Sequence, residues 1–105
     1  MLSGRLALLS FVMLAAVSVP AHAATIRITI DKLTFSPASV SAEVGDTVEW
    51  VNKDALAHTA TARNGDFDVT LPPSKTVSSV LRKAGTVDYY CRYHPNMRAT
   101  LTIAP

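Results

Sequence analysis

Hydrophobic and polar positions alternate along most of the chain. Ile26, Ile28 and Ile30 share one side of a stretch whose other side carries Thr25, Arg27 and Thr29. That is the period of a half-buried strand. The alternation returns over residues 47–52, with Val48 and Trp50 on one face, and over 86–91, with Val87, Tyr89 and Cys91 together. Shorter β-prone segments fall at 33–35, 40–43, 57–61, 67–71 and 74–81, and residues 98–103 close the chain with Leu101 and Ile103 inward. Turn residues separate them: Ser36-Pro37, Gly45-Asp46, Asn64-Gly65-Asp66, Pro72-Pro73 and Lys83-Ala84-Gly85. No sustained helical period occurs after residue 23. Short strands with turns at this spacing predict an all-β sandwich of seven or eight strands. Such a sandwich has no deep cleft, so function is expected at one end, on loops.

The first 23 residues break the pattern. Arg5 precedes a run from Leu6 to Val19 that is apolar apart from two serines, and Pro20 and Ala21-His22-Ala23 follow. A basic start, a short apolar core and a small-x-small site read as a secretory signal peptide cleaved after Ala23. The run is short for a membrane span. Residues 24–105 are then the functional domain, expected in the periplasm, monomeric and without a membrane span.

Composition narrows the classes. The chain has 105 residues, with 10 Lys+Arg against 8 Asp+Glu and a net charge of +2. Loss of residues 1–23 takes Arg5 with it and leaves 82 residues at +1. A nearly neutral domain with no basic run does not predict nucleic-acid binding. One cysteine excludes an intramolecular disulfide. An exported free thiol is a liability unless it is buried or holds a metal.

The metal reading gains from the neighbours. After residue 23 the chain contains two histidines, one cysteine and one methionine: His58, Cys91, His94 and Met97. Cys91-Arg92-Tyr93-His94-Pro95-Asn96-Met97 places three of them at C-x2-H-x2-M, a spacing that suits a tight loop between two strands. His58 is expected on a loop after the Trp50 strand that reaches the same end. Two imidazoles and a thiolate, with a weak thioether above, are the donors of a blue-copper site. Zinc would take the thiolate and imidazoles, but a thioether is not among its usual ligands.

These residues carry a family resemblance. The segments Leu33-Thr34-Phe35-Ser36-Pro37, Val44 to Asn52, Asp54 with His58, Ala84 to Cys91, and the ligand loop resemble the cupredoxins. The two-residue gap between His94 and Met97 is similar to the amicyanin branch rather than to branches with longer ligand loops. The resemblance implies a Greek-key β-sandwich with one type 1 copper ion at one end. His58, Cys91 and His94 would be strong ligands and Met97 the weak axial one. It implies an electron carrier rather than an enzyme, with no catalytic residues and with redox proteins as partners. An amine dehydrogenase donor and a c-type cytochrome acceptor are the implied pair. The edge of His94 would reach the surface through an apolar patch, with Pro95, Leu33, Ala55, Leu56 and Pro72 as its candidates.

Two positions depart from the family pattern. Thr59 stands where Asn is common, and its hydroxyl is expected to donate a substitute hydrogen bond. Arg92 follows the cysteine where a small residue or Thr is common. Tyr90 is expected to point outward. The alternative function is a copper-binding module for storage, delivery or resistance, against which stands the lack of Met-rich or His-rich tracts. A copper oxidase would need further ligands. A cysteine hydrolase built on Cys91 and His94 would lack an oxyanion pocket.

Overall fold

The structure, a computed structural model, describes residues 23–105. The signal-peptide reading of residues 1–23 therefore lies outside the described residues, apart from Ala23. Nine strands form two sheets: β1 (Thr25–Asp31), β2 (Thr34–Ser36), β3 (Ser39–Glu43), β4 (Thr47–Asn52), β5 (His58–Ala62), β6 (Asp68–Leu71), β7 (Thr76–Val80), β8 (Gly85–Tyr90) and β9 (Arg98–Ala104). One sheet has the order β2-β1-β4-β7 and the other β3-β9-β8-β5-β6. This is an all-β Greek-key sandwich, with one or two strands more than the pattern predicts. Every β-prone segment, the short 33–35 and 40–43 included, forms a strand. β2 is three residues long and pairs with β1 across the two-residue turn Lys32-Leu33.

Alternation places the core as expected. Ile28, Ile30, Val48 and Trp50 from one sheet and Leu71, Val87, Tyr89 and Leu101 from the other are buried between the layers. The centre is aromatic. Tyr89 meets Phe35 at 4.9 Å and Trp50 at 5.3 Å between ring centroids, both edge-to-face. Each such pair is worth about 0.5–1.5 kcal/mol beyond its burial. The indole Nε1–H of Trp50 donates to Ser79 Oγ at 2.9 Å. Among the described residues the buried Tyr89 hydroxyl has no hydrogen-bond partner, and burial pushes its phenol well above the ordinary tyrosine value.

Two parallel pairings, β1 with β4 and β3 with β9, set which loops meet. The register Ile30↔Asn52 brings the β1–β2 turn against the β4–β5 loop. At the same end lies the β8–β9 loop that carries Cys91, His94 and Met97.

Candidate metal centre

The loop between β8 and β9 is fixed by its own backbone. Cys91 N–H donates to Met97 C=O at 3.0 Å, Met97 N–H to His94 C=O at 2.8 Å, and His94 N–H to Cys91 C=O at 3.3 Å. The three candidate ligands of this loop thus close a ring of hydrogen bonds with one another. Pro95 lacks an N–H and leaves that ring undisturbed. Cys91 and Met97 are buried, while His94 is half-buried. Neither end residue belongs to a strand, since β8 stops at Tyr90 and β9 begins at Arg98.

His58 arrives from the other side. It is the first residue of β5 rather than a loop residue, and it is fully buried. The nitrogens of His58 and His94 and the Cys91 sulfur lie within 4.8 Å of one another. Both Nδ1 atoms stand 3.7 Å from Cys91 Sγ. An ion bound at roughly 2.3 Å from sulfur and 2.0 Å from nitrogen holds those donors about 3.5–3.7 Å apart in tetrahedral or trigonal geometry. The spacing therefore fits one ion within the trio. The imidazole rings lie 5.0 Å apart at 62°, so they converge without stacking.

The second nitrogen of His58 is committed elsewhere. Its Nε2 is 2.8 Å from Asp54 Oδ2. Donation to that carboxylate puts the ring proton on Nε2 and leaves the Nδ1 lone pair facing the sulfur. Asp54 also accepts the backbone N–H groups of Lys32, at 2.7 Å, and Leu33, at 3.0 Å. Both residues have positive φ, 52° and 61°, as a two-residue hairpin turn with good twist requires. Side chains there cost free energy that the two bonds to Asp54 offset. Burial works to raise the Asp54 carboxyl, but the bonds from Leu33, His58 and Lys32 outweigh it and hold the group below its ordinary value.

Asn52 staples the same loop from beneath. Its buried Nδ2 donates to the carbonyls of Leu56 (2.9 Å), Leu71 (3.2 Å) and Pro72 (3.1 Å), and its Oδ1 accepts from Asp54 N–H at 3.0 Å. Asn52 and Asp54 were not singled out for the site by sequence reasoning. Their signal is long-range, because it needs the β1–β4 pairing to bring Lys32 and Leu33 to Asp54.

Thr59 does not act as expected. Its backbone N–H, not its hydroxyl, points at Cys91 Sγ, at 3.4 Å. The hydroxyl accepts from Arg92 N–H at 2.9 Å. The residues after His58 and after Cys91 are thus tied together, with the Thr59 hydroxyl accepting where it is expected to donate. Tyr90 alternates with the inward Tyr89 and is half-buried, with the Arg63 guanidinium 4.4 Å above its ring.

Around His94 the surface is apolar. A shallow cavity of about 390 Å³ is lined by Leu33, Tyr93, His94, Pro95, Asn96 and Met97. Leu33 and Tyr93 are exposed at 44% and 56%. Of the expected patch the cavity takes in Leu33 and Pro95, but not Ala55, Leu56 or Pro72. Tyr93 is an addition to the expected patch. Its position between two ligands, on the outer side of the loop, was the available clue.

A family model described as a cupredoxin-like domain matches residues 4–103. The chain belongs to the cupredoxin-like family. Among relatives of this cupredoxin, an amicyanin from Paracoccus denitrificans is 31% identical over 84 residues, which span 74% of this chain and 64% of the relative's length. The methylamine utilization protein MauL of Methylorubrum extorquens is 31% identical over 91 residues, 83% of this chain and 80% of the relative. An oxidised amicyanin variant of known structure superposes with a TM-score of 0.67 at 27% identity, covering 74% of this chain and 80% of that one. The cupredoxin's own donors, two imidazoles, a thiolate and a thioether, fit one type 1 copper ion. No helix among the described residues is long and apolar enough to cross a membrane.

Proposed function

We propose that this cupredoxin is a periplasmic single-electron carrier. His58, Cys91 and His94 would be the strong copper ligands and Met97 the weak axial one. The observation that carries the reading is the convergence of three buried or half-buried soft donors within 4.8 Å, with both Nδ1 atoms facing one sulfur. Bound copper would supply a Cu(II)/Cu(I) couple. The chain's own residues do the rest. The backbone ring over Cys91, His94 and Met97 holds three donors rigid, so little rearrangement accompanies a change of charge. Asp54 fixes the His58 tautomer. The Thr59 N–H steadies negative charge on Cys91 Sγ, which favours the reduced site. His94, half-buried within an apolar rim, gives the electron its exit. The exposed apolar side chains of Leu33 and Tyr93 beside His94 support brief docking to redox proteins. An amine dehydrogenase as donor and a c-type cytochrome as acceptor suit the amicyanin-like loop.

Delivery to the periplasm rests on the apolar run before Ala23. Cleavage there would make Ala24 the amino terminus, and Ala24 N already sits 2.8 Å from the buried Asp46 Oδ1. The function is tested by loading the processed protein with Cu(II) and following its reduction and reoxidation by a small donor and by a c-type cytochrome. Failure to cycle would refute the carrier reading.

A further inference from the structure

Thr59 and Arg92, the two departures from the family pattern, belong to one connected feature. Arg92 N–H donates to Thr59 Oγ1 at 2.9 Å. Thr59 Oγ1 lies 2.9 Å from Thr61 Oγ1, and the Thr61 hydroxyl donates to Asp68 Oδ1 at 2.8 Å. Asp68 Oδ2 in turn lies 3.4 Å from Arg92 Nη2. The chain leaves Arg92 by its amide and returns to it by its guanidinium.

The direction of every bond is set. An amide N–H can only donate, and an ionised carboxylate can only accept. Thr61 spends its single proton on Asp68, so at the Thr59–Thr61 contact it must accept. Thr59 therefore sends its proton outward to Thr61 and presents lone pairs to Arg92. Thr59 is fully buried, so its proton has no water to turn to. Thr61 and Asp68 are register partners of β5 and β6, which holds the outer end in place. Bonds in such a chain polarise one another, and the carboxylate end is charge-assisted.

We propose that Asp68, through Thr61, is a positioning residue for the metal centre. It sets the hydroxyl of Thr59 as an acceptor, which clamps the residue after Cys91 to β5 and keeps Cys91 Sγ before the Thr59 N–H. Asp68 is ten positions from His58 and half exposed, and its hydrogen bonds run to Thr61 and Arg92. Its effect on the redox centre rests on the copper reading above, but the clamp exists without metal and is tested without it.

The experiment is amide hydrogen exchange by NMR at Arg92 and Thr59, in metal-free protein expressed from the full chain. Thr61→Val and Asp68→Ala each break the chain of bonds and should speed exchange at Arg92 roughly five- to tenfold. Thr61→Ser keeps the relay and should exchange like the wild type. Asp68→Asn keeps an acceptor oxygen for Thr61 while losing the charge opposite Arg92, and should stay within about twofold. The copper-loaded Thr61→Val protein should show a shifted reduction potential and a shifted charge-transfer band, with both restored in Thr61→Ser. Unchanged Arg92 exchange in Asp68→Ala, whose exposed site tolerates the substitution, would overturn the proposal. So would equal acceleration in Asp68→Asn and Asp68→Ala, because the ion pair alone would then be the cause. If the wild type formed no blue complex, the carrier reading would fall while the exchange measurements still judged the clamp.

Discussion

His58 is gripped at both ring nitrogens: Nε2 lies 2.8 Å from Asp54 Oδ2, and Nδ1 faces Cys91 Sγ at 3.7 Å. Asp54 also receives two N–H groups from a turn with positive φ, so one carboxylate orients a ligand and stabilises the loop that carries Leu33. Asp54→Leu should lower copper affinity roughly 10- to 100-fold, as outer-sphere losses do. Asp54→Asn should fall between, because one amide oxygen cannot serve both the ring and the turn. Copper titration against a competing chelator measures the affinities. Nitrogen-15 NMR of the His58 ring in the metal-free protein reads the loss of the Nε2–H tautomer.

Asn52 makes four hydrogen bonds from a site only 2% exposed. Asn52→Ala leaves three carbonyls and one amide without their partner and should cost about 2–4 kcal/mol of unfolding free energy. Asn52→Asp should cost more, since a carboxylate then faces three carbonyl oxygens. Urea unfolding of the metal-free protein gives both values.

Tyr89 carries a buried hydroxyl with no partner among the described residues, and burial raises its phenol. Folding thus favours the protonated form. The unfolded chain ionises near pH 10, so it binds fewer protons than the native state above that point. Stability should be level below about pH 10 and fall as pH rises further. Tyr89→Phe should be neutral or more stable by about 1 kcal/mol at pH 7 and should flatten the alkaline fall. Thermal unfolding from pH 7 to 11 compares the two.

How far the chain could be read by eye follows from the range of each interaction. The Ile26-Ile28-Ile30 alternation marks β1, and its last two members are fully buried. Val87 and Tyr89 turned inward as their alternation predicts. The C-x2-H-x2-M spacing is local, and it brings Cys91, His94 and Met97 into one hydrogen-bonded loop. His58 could be named by scarcity, because only one other histidine remains after residue 23. Its segment, 57–61, reads as β-prone, but Ala57, Ala60 and Ala62 give no clear period to say which way His58 faces. Asp54 stands with His58 in the resemblance and meets it four residues on, but its bonds to Lys32 and Leu33, like those of Asn52 to Leu71 and Pro72, span about twenty residues and were opaque. The exchanged polarity at Thr59 depends on Thr61 and Asp68, and a hydroxyl's role cannot be read without its neighbours.

Met97 is buried at the mouth of the loop and is proposed as the axial ligand. Met97→Gln should retain copper and lower the reduction potential, because a harder oxygen donor favours the oxidised ion. Protein-film voltammetry reads the shift. An unchanged potential would remove Met97 from the ligand set.

His94 is half-buried beside the exposed Tyr93 and Leu33, so removing its ring should open the centre to solvent. His94→Gly should bind external imidazole and recover much of its colour. Failure of imidazole to enter would place His94 away from the surface route.

The proposed function requires Cys91, with His58 and His94, to hold copper through its sulfur. The direct measurement is the visible spectrum of the protein on adding one equivalent of Cu(II), beside Cys91→Ser. An intense blue thiolate-to-copper band is expected in the wild type, bleached by ascorbate and absent in Cys91→Ser. A pale complex in the wild type, or the same band in both proteins, would refute it.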